Sequence, residues 1–392
     1  MLLASTLVAQ VSATVLFGGD VVAHRDVLDS VEAHGHASLL GPLAPLLARA
    51  ALTIVNLESP VVTSRPASGP NTLRFNGTGA FLDGLSRAGV DAVSLANNHG
   101  FDQGPEGVAA TISALRARGL AVLGASDGAQ DPHAATVFTV LGRRLCVVAA
   151  TRILNFDVPR WRAGRPGLAL ALPDAPDEET RLVAAVTAEA RRCGAVVVTL
   201  HTGTEYEDAP EARDRRFFRR LADAGAAAVI GHHSHTPQPV ERYAVAGRDV
   251  PLFYSLGNLV SAQGSVAERA PLSAHEPWQI ERDPRTREGL LAVLQFEPEG
   301  PSGLRLARSG WLPLWTSNDR DRARREGLAA TLSAAAMPWG GGGSPAQQAR
   351  WRSLVSRVGP ASLFAPEGLA GAEALWPQAR PQGATATLSP RR

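Results

Sequence analysis

Five short clusters of acids, amides and imidazoles hold the residue types in this chain that could do chemistry. They are Gly18-Gly19-Asp20, Asn56-Leu57-Glu58, Asn97-Asn98-His99 with Asp102 just beyond, His201-Thr202-Gly203-Thr204-Glu205-Tyr206, and Gly231-His232-His233-Ser234-His235. Carboxylate, amide oxygen and neutral imidazole make a mixed oxygen and nitrogen donor set. That set suits one or two divalent ions such as Mn, Fe, Zn or Ca, and not a thiolate site. Such an ion acts as a Lewis acid, and a histidine outside its shell is then free to move protons. The glycines let the backbone turn sharply and pass close to an ion. Each cluster alone has a bland reading: Asp20 as a helix cap, Glu58 as a solvated loop acid, Asn98-His99 as a turn, the later histidines as core residues. Position is what lifts them above it.

Every cluster follows an apolar stretch: 14–17, 52–55, 90–95, 196–200 and 226–230. Helical patterns over 80–88, 105–118, 178–192 and 211–224 each run into a glycine, at 89, 119, 194 and 225, before the next such stretch. Strands without alternation, separated by helices, predict a largely parallel sheet covered on both faces. Parallel strands end on one edge, so the five clusters should converge there. From about residue 250 the grammar changes. Stretches 252–256, 290–296 and 304–314 read as strands without helices between them and predict a second sheet layer. Composition divides the chain into a domain over 1–316 and an Ala, Gly, Pro and Arg-rich extension over 317–392. Residues 340–344 read as a flexible joint in that extension, and its last dozen residues as disordered.

The 392 residues carry 39 basic and 37 acidic side chains, a net charge of +2, and every basic residue is arginine. Without lysine there is no Schiff base, no lysine-anchored pyridoxal and no Walker-type phosphate loop, so no organic cofactor is expected. So small an excess of positive charge supplies no general grip on nucleic acid. The arginine-rich run 213–220 reads as an amphipathic helix that buries Phe217, Phe218 and Leu221. Residues 1–17 lack a basic leader region and are too short and mixed to span a membrane, so no membrane contact is expected. Cys146 and Cys193 are expected as buried free thiols in a reducing compartment, and an N-terminus that does not read as a signal peptide makes the cytoplasm the expected location.

The clusters, together with Asp102-Gln103-Gly104, Gln238-Pro239-Val240-Glu241 and Tyr254-Ser255-Leu256-Gly257-Asn258, resemble the CapA family of poly-gamma-glutamate capsule biosynthesis, within the calcineurin-like metallophosphoesterase superfamily. The likeness covers about residues 14–315 in the family's order. It implies an α/β fold, a four-layer αββα sandwich, with a metal centre at the strand ends. On that resemblance Asp20, Glu58, Asn98, His201, His233 and His235 look like metal ligands, and His99 like an acid–base that does not bind metal. Asp102 either pairs with His99 or caps the helix that opens at Pro105. Glu205, Tyr206 and Asn258 are the expected substrate contacts, although Glu205 and Tyr206 could equally brace their loop. Three positions depart from the superfamily pattern: Val22 stands where a metal-binding histidine is usual, Glu58 replaces a bridging aspartate, and Thr202 replaces a tryptophan and should reshape the pocket floor. They predict a single well-held ion with a weaker second position.

Three functions compete. The first is a metal-dependent enzyme acting on a peptide or polyamide by His/Asp acid–base chemistry, with Cα epimerisation during maturation of a lasso-type peptide as its most specific form. Phosphoester hydrolysis is the superfamily default. A non-catalytic accessory role in making a poly-gamma-glutamate type polymer is the third. The absent histidine at Val22 weighs against classical two-metal hydrolysis, and an all-arginine complement suits carboxylate-bearing substrates.

Overall fold

The computed structural model describes residues 11–69, 71–265, 280–338, 343–365 and 369. Most of the 340–344 joint and the expected disordered end lie outside the described residues. Strand β1 (Ala13–Val21) leads through helices α1 (Asp26–His34), α2 (Ala37–Leu40) and α3 (Ala44–Leu47) to β2 (Leu52–Leu57). Helix α4 (Gly79–Ala88), β3 (Ala92–Ser94), α5 (Gly104–Arg116) and β4 (Ala121–Leu123) follow. The Thr78 side chain caps α4 by accepting from the Phe81 N–H, and Gly89 ends it in the left-handed region.

A second set of strands comes next. Two-residue β5 (Ala125–Ser126) precedes β6 (Thr136–Val140), β7 (Arg143–Thr151) and the equally short β8 (Gly167–Leu168). Helix α6 (Pro176–Ala190), β9 (Ala195–His201), α7 (Ala212–Asp223), β10 (Ala228–His232), β11 (Val240–Val245) and β12 (Arg248–Phe253) continue it. The chain then returns with β13 (Asn258–Val260), β14 (Glu288–Glu299) and β15 (Gly303–Asn318). Helix α8 (Arg320–Glu326), β16 (Leu332–Ala336) and α9 (Pro345–Val358) come last.

Two mixed sheets result. One has the order β16-β15-β14-β1-β2-β3-β4, with β13 also on β1, and the other β11-β12-β10-β9-β7-β6. The run β1-β2-β3-β4 is parallel, as is β7-β9-β10-β12. Their packing makes four layers. Leu16 of β1 faces helices α4 and α5 in one core, with Phe81, Leu85 and Ile112, while its neighbours Val15 and Phe17 enter a second core between the sheets. Val197 of β9 enters that same inter-sheet core, and Val196 and Val198 enter a third with Leu182 of α6 and Phe218 of α7. A strand whose successive side chains feed two cores must be apolar on both faces, which is why these strands show no alternation. The fold is an α/β sandwich of the expected αββα kind.

Three expectations change. Of the strands expected after residue 250, only the first joins the second layer, as the end of β12, whereas β14 pairs antiparallel with β1, and β15 with β14, so that hairpin extends the first sheet. The second sheet starts at β6 and β7 instead, and the five clusters sit on strand ends of two sheets, not one. Composition also hid how the chain past residue 316 packs. Strand β15 continues to Asn318, β16 pairs with it, and α9 inserts Leu354 and Val358 into the inter-sheet core. Finally, Cys146 of β7 and Cys193, just past α6, form a disulfide, where free thiols were expected. The register brings their Cα atoms to 6.0 Å, within bridging range. The bridge removes the premise from which a reducing compartment was inferred. Among the described residues, no helix is long and apolar enough to cross a membrane.

Candidate metal centre

Parallel pairing within each sheet, and packing of one sheet on the other, bring the five clusters to one place. Asp20 closes β1 opposite Asn56 of β2 and Asn258 of β13. That close approach needs glycine beforehand: a Cβ on Gly19 would lie 1.9 Å from the Gly257 carbonyl oxygen. On the other sheet His201 ends β9 beside His232 of β10, and a Cβ on Gly231 would lie 2.0 Å from the Tyr254 oxygen. The loop beyond β10 turns through His233 at φ 100° and His235 at φ 56°, the left-handed region that such residues seldom adopt. Backbone strain of that kind persists where surrounding contacts impose it, and it gathers at functional sites.

Two trios of potential ligand atoms share Glu58. Glu58, His201 and His233 form one, and Asp20, Glu58 and His235 the other, each with its atoms within 4.8 Å of one another. Asn98 joins through its Oδ1, which accepts from His201 Nε2 at 2.8 Å. All six residues expected as ligands are thus neighbours, and all are buried. Asn56, quoted in a motif but assigned no role, completes the frame: its Nδ2 donates to Asp20 Oδ1 at 2.7 Å and lies 3.3 Å from His201 Nδ1. Asn97 in turn donates to Asn56 Oδ1 and to the Leu57 carbonyl.

The electrostatics fit a cation. Neither carboxylate oxygen of Glu58 has a hydrogen-bond partner although both are buried, and His233 Nδ1 is likewise unsatisfied. Orphaned buried polar atoms are costly, and a charge of opposite sign is the usual remedy. Burial pushes Glu58 well above the ordinary carboxylate range. Burial opposes charge on His235 too, but the Glu58, Asp20 and Glu205 carboxylates push it up to about 10. Without a cation, protons therefore supply the positive charge these carboxylates need. Burial would also raise Asp20, yet its bond to His235 and the surrounding imidazoles hold it below its usual value. Burial lowers His201 well below the ordinary histidine value and His233 to about 3, so both imidazoles are neutral and available as ligands.

Above these residues opens a cavity of about 770 Å³. Glu58, His235, His99, Asp102, Glu205 and Tyr206 are on its wall. His99 Nδ1 donates to Asp102 Oδ2 at 2.7 Å, and the same oxygen accepts from the Phe75 N–H at 2.7 Å. Asp102 thus pairs with His99; the alternative of capping the next helix is not what the side chain does, since α5 has no side-chain cap. The His99 ring stacks on Phe75 with centroids 4.1 Å apart, and the Asn155 amide lies 3.4 Å from each ring nitrogen. Asn155 also binds Asn98, accepting from its Nδ2 at 2.9 Å. Sequence reasoning missed Phe75 and Asn155. The signal for Asn155 was the apolar run into Thr151, a sixth strand end that went unread; Phe75 stands in an irregular loop and had none.

Two expected positions fall elsewhere. Asn258 is not on the cavity wall. Its Oδ1 accepts from His235 Nδ1 at 3.0 Å, and its Nδ2 donates to the His235 and Thr286 carbonyls and to Gln263, so it holds the histidine loop in place. Thr202 is not on the cavity wall; its hydroxyl donates to buried Asp214 of α7 at 2.9 Å. Val22 does line the cavity, as an apolar wall where a histidine was usual, and His24 lies against Phe75 and Ser68.

The chain is similar to known proteins over the span of this site. Residues 14–263 match the family model described as bacterial capsule synthesis protein PGA_cap, a span that includes every strand end above. Capsule biosynthesis protein CapA of Bacillus anthracis is 26% identical over 254 residues, 64% of this chain and 60% of that protein. A probable polyglutamine synthesis accessory protein of Mycobacterium tuberculosis is 31% identical over 249 residues, 60% of this chain and 62% of the relative. The chain therefore spans about 60% of the length of these curated relatives. A hypothetical protein from Thermus thermophilus aligns with a TM-score of 0.43 at 19% identity, covering 76% of this chain and 98% of that one. With the matched span running through all five clusters that build the site, this chain belongs to the bacterial capsule synthesis protein family, PGA_cap.

Proposed function

We infer that the chain is a metal-dependent enzyme acting on a peptide or polyamide, with His99 as the proton-transferring group. The observation that carries this reading is a histidine–carboxylate pair on the wall of the same cavity that the buried, orphaned Glu58 also lines. Asp20, Glu58, His201, His233 and His235, with Asn98 beside them, would hold the ion. When bound, the ion supplies Lewis acidity that makes a neighbouring carbonyl or carboxylate a better electron sink. Asp102 fixes the His99 ring through Nδ1 and leaves Nε2 to take a proton. Phe75 and Asn155 keep the ring from turning. In the most specific form, His99 removes a Cα proton on one face and an acid outside the ion's shell returns one to the other. The result is epimerisation of a peptide, with no bond of the backbone broken.

A second reading is favoured by the relatives, whose names place them in capsule or polyglutamine synthesis, one as an accessory protein. On that reading the chain assists polymer assembly and turns nothing over. The two separate in one comparison. In the His99→Ala variant, metal content measured by inductively coupled plasma mass spectrometry should match wild type while turnover of synthetic glutamyl oligomers or peptides is lost. Loss of metal from this variant would make His99 a ligand and overturn its assigned role. Equal behaviour of variant and wild type would favour the accessory reading.

A further inference from the structure

The cavity is polarised. Its inner wall carries the carboxylates of Glu58 and Asp102, and its outer rim carries Arg25 and Arg74. Arg25 is committed to an ion pair with Glu281. Arg74 is different: it is exposed, and no carboxylate among the described residues lies within ion-pair reach of it. Its guanidinium instead sits 5.0 Å from the ring centroid of Phe156, also on the cavity wall. Stacking on an aromatic face orients the planar fork and leaves its N–H edge free to grip a carboxylate through two parallel bonds. The neighbouring Leu73 is 76% exposed, an apolar contact offered to whatever enters.

The chain also fixes where this rim stands relative to the dyad. Arg74 directly precedes Phe75, whose N–H is bonded to Asp102 and whose ring is stacked on His99. The Arg74 N–H is itself held by the Thr72 hydroxyl at 3.0 Å. Arg74 and His99 line the same cavity, so an anionic group held by Arg74 belongs to a ligand in the cavity that His99 faces.

We propose that Arg74, stacked on Phe156 at the cavity mouth, is a specificity-determining residue that binds a side-chain or terminal carboxylate of an acidic peptide or polyamide. This rests on the reading of the cavity as the substrate site and assigns one of its residues to the charge of the substrate. A neutral polyamide leaves the guanidinium unpaired and gains nothing from it.

The test measures fluorescence anisotropy of two labelled decapeptides, one of alternating glutamate and alanine and one of alternating glutamine and alanine, binding to the full chain, both chelator-treated and loaded with Mn. Wild type should bind the glutamate peptide more tightly. Arg74→Ala should weaken that peptide about tenfold, the loss expected for one charge-assisted pair, and Arg74→Glu should weaken it further. The glutamine peptide should respond to neither substitution. Unchanged glutamate-peptide affinity in Arg74→Ala would overturn the proposal, as would equal loss for both peptides, which would assign Arg74 a packing role. Failure of wild type to prefer the glutamate peptide would overturn it too, and so would inorganic phosphate competing as well as the peptide at equal concentration. Metal content and the thermal midpoint of both variants should match wild type, since Arg74 is exposed and touches no proposed ligand. Arg74-dependent binding without any turnover would sink the enzymatic reading and leave the anion subsite standing. Turnover without Arg74 dependence would do the reverse.

Discussion

Glu58 shows what the site costs and what it is for. A buried carboxylate with both oxygens unsatisfied destabilises the metal-free fold. Its folded-state pKa is raised well above its ordinary 4.5, so between those values the native state holds a proton that the unfolded chain has released. Stability of the chelated protein therefore falls as pH rises through that window. Glu58→Gln should remove this slope, raise the melting temperature of the chelated protein near neutral pH and abolish metal uptake. Thermal melts with and without chelator at several pH values check all three, and a variant that keeps its metal would contradict the shared-ligand role. Most of these residues were legible in the sequence because each directly follows an apolar strand. Glu58, His201 and His235 could be picked out that way. Asn258 could be seen but not understood, since only the fold turns its amide toward His235 and three other partners. Phe75 was invisible: nothing local marks a loop phenylalanine whose N–H completes a dyad.

At the scale of elements, period and stop signals gave helices α4, α5, α6 and α7 to within a few residues, because an amphipathic face and a glycine stop are local properties. Sheet membership is not local. The hairpin β14–β15 reads as strands from its residues, yet only the open edge of β1 decides that it joins the first sheet. Helix α9 shows the same limit from the other side. Composition marked its region as an extension, but Ser344 and Gln347 form a capping box, and Leu354 is fully buried between the sheets. Leu354→Ala should cost about 2–5 kcal/mol in denaturant unfolding, and a change below about 0.5 kcal/mol would mean that α9 does not pack there. The Cys146–Cys193 bridge ties β7 to the end of α6 across 47 residues of sequence. Urea-unfolded protein should show no reactive thiol without reductant, and Cys193→Ser should lose about 2–4 kcal/mol. Two thiols titrating without reductant would contradict the bridge.

Over the whole molecule, the site depends on two sheets meeting. Asp20, Glu58 and Asn98 come from strand ends of the first, and His201, His233 and His235 from strand ends of the second, so packing across the inter-sheet core sets the distances between the candidate ligands. No single sheet would have sufficed. Family membership agrees with that architecture, while the chemistry rests on the cavity: a donor set short of positive charge, a histidine–aspartate pair on its wall and a cationic rim. With no lysine in the chain, the proposed proton transfer falls to carboxylates and imidazoles. The most direct test incubates Mn-loaded protein with synthetic glutamyl oligomers and peptides in heavy water and reads the products by mass spectrometry. Deuterium at a Cα without backbone cleavage, lost in His99→Ala and on chelation, is the predicted result. No incorporation, with release of phosphate from an aryl phosphate under the same conditions, would contradict it.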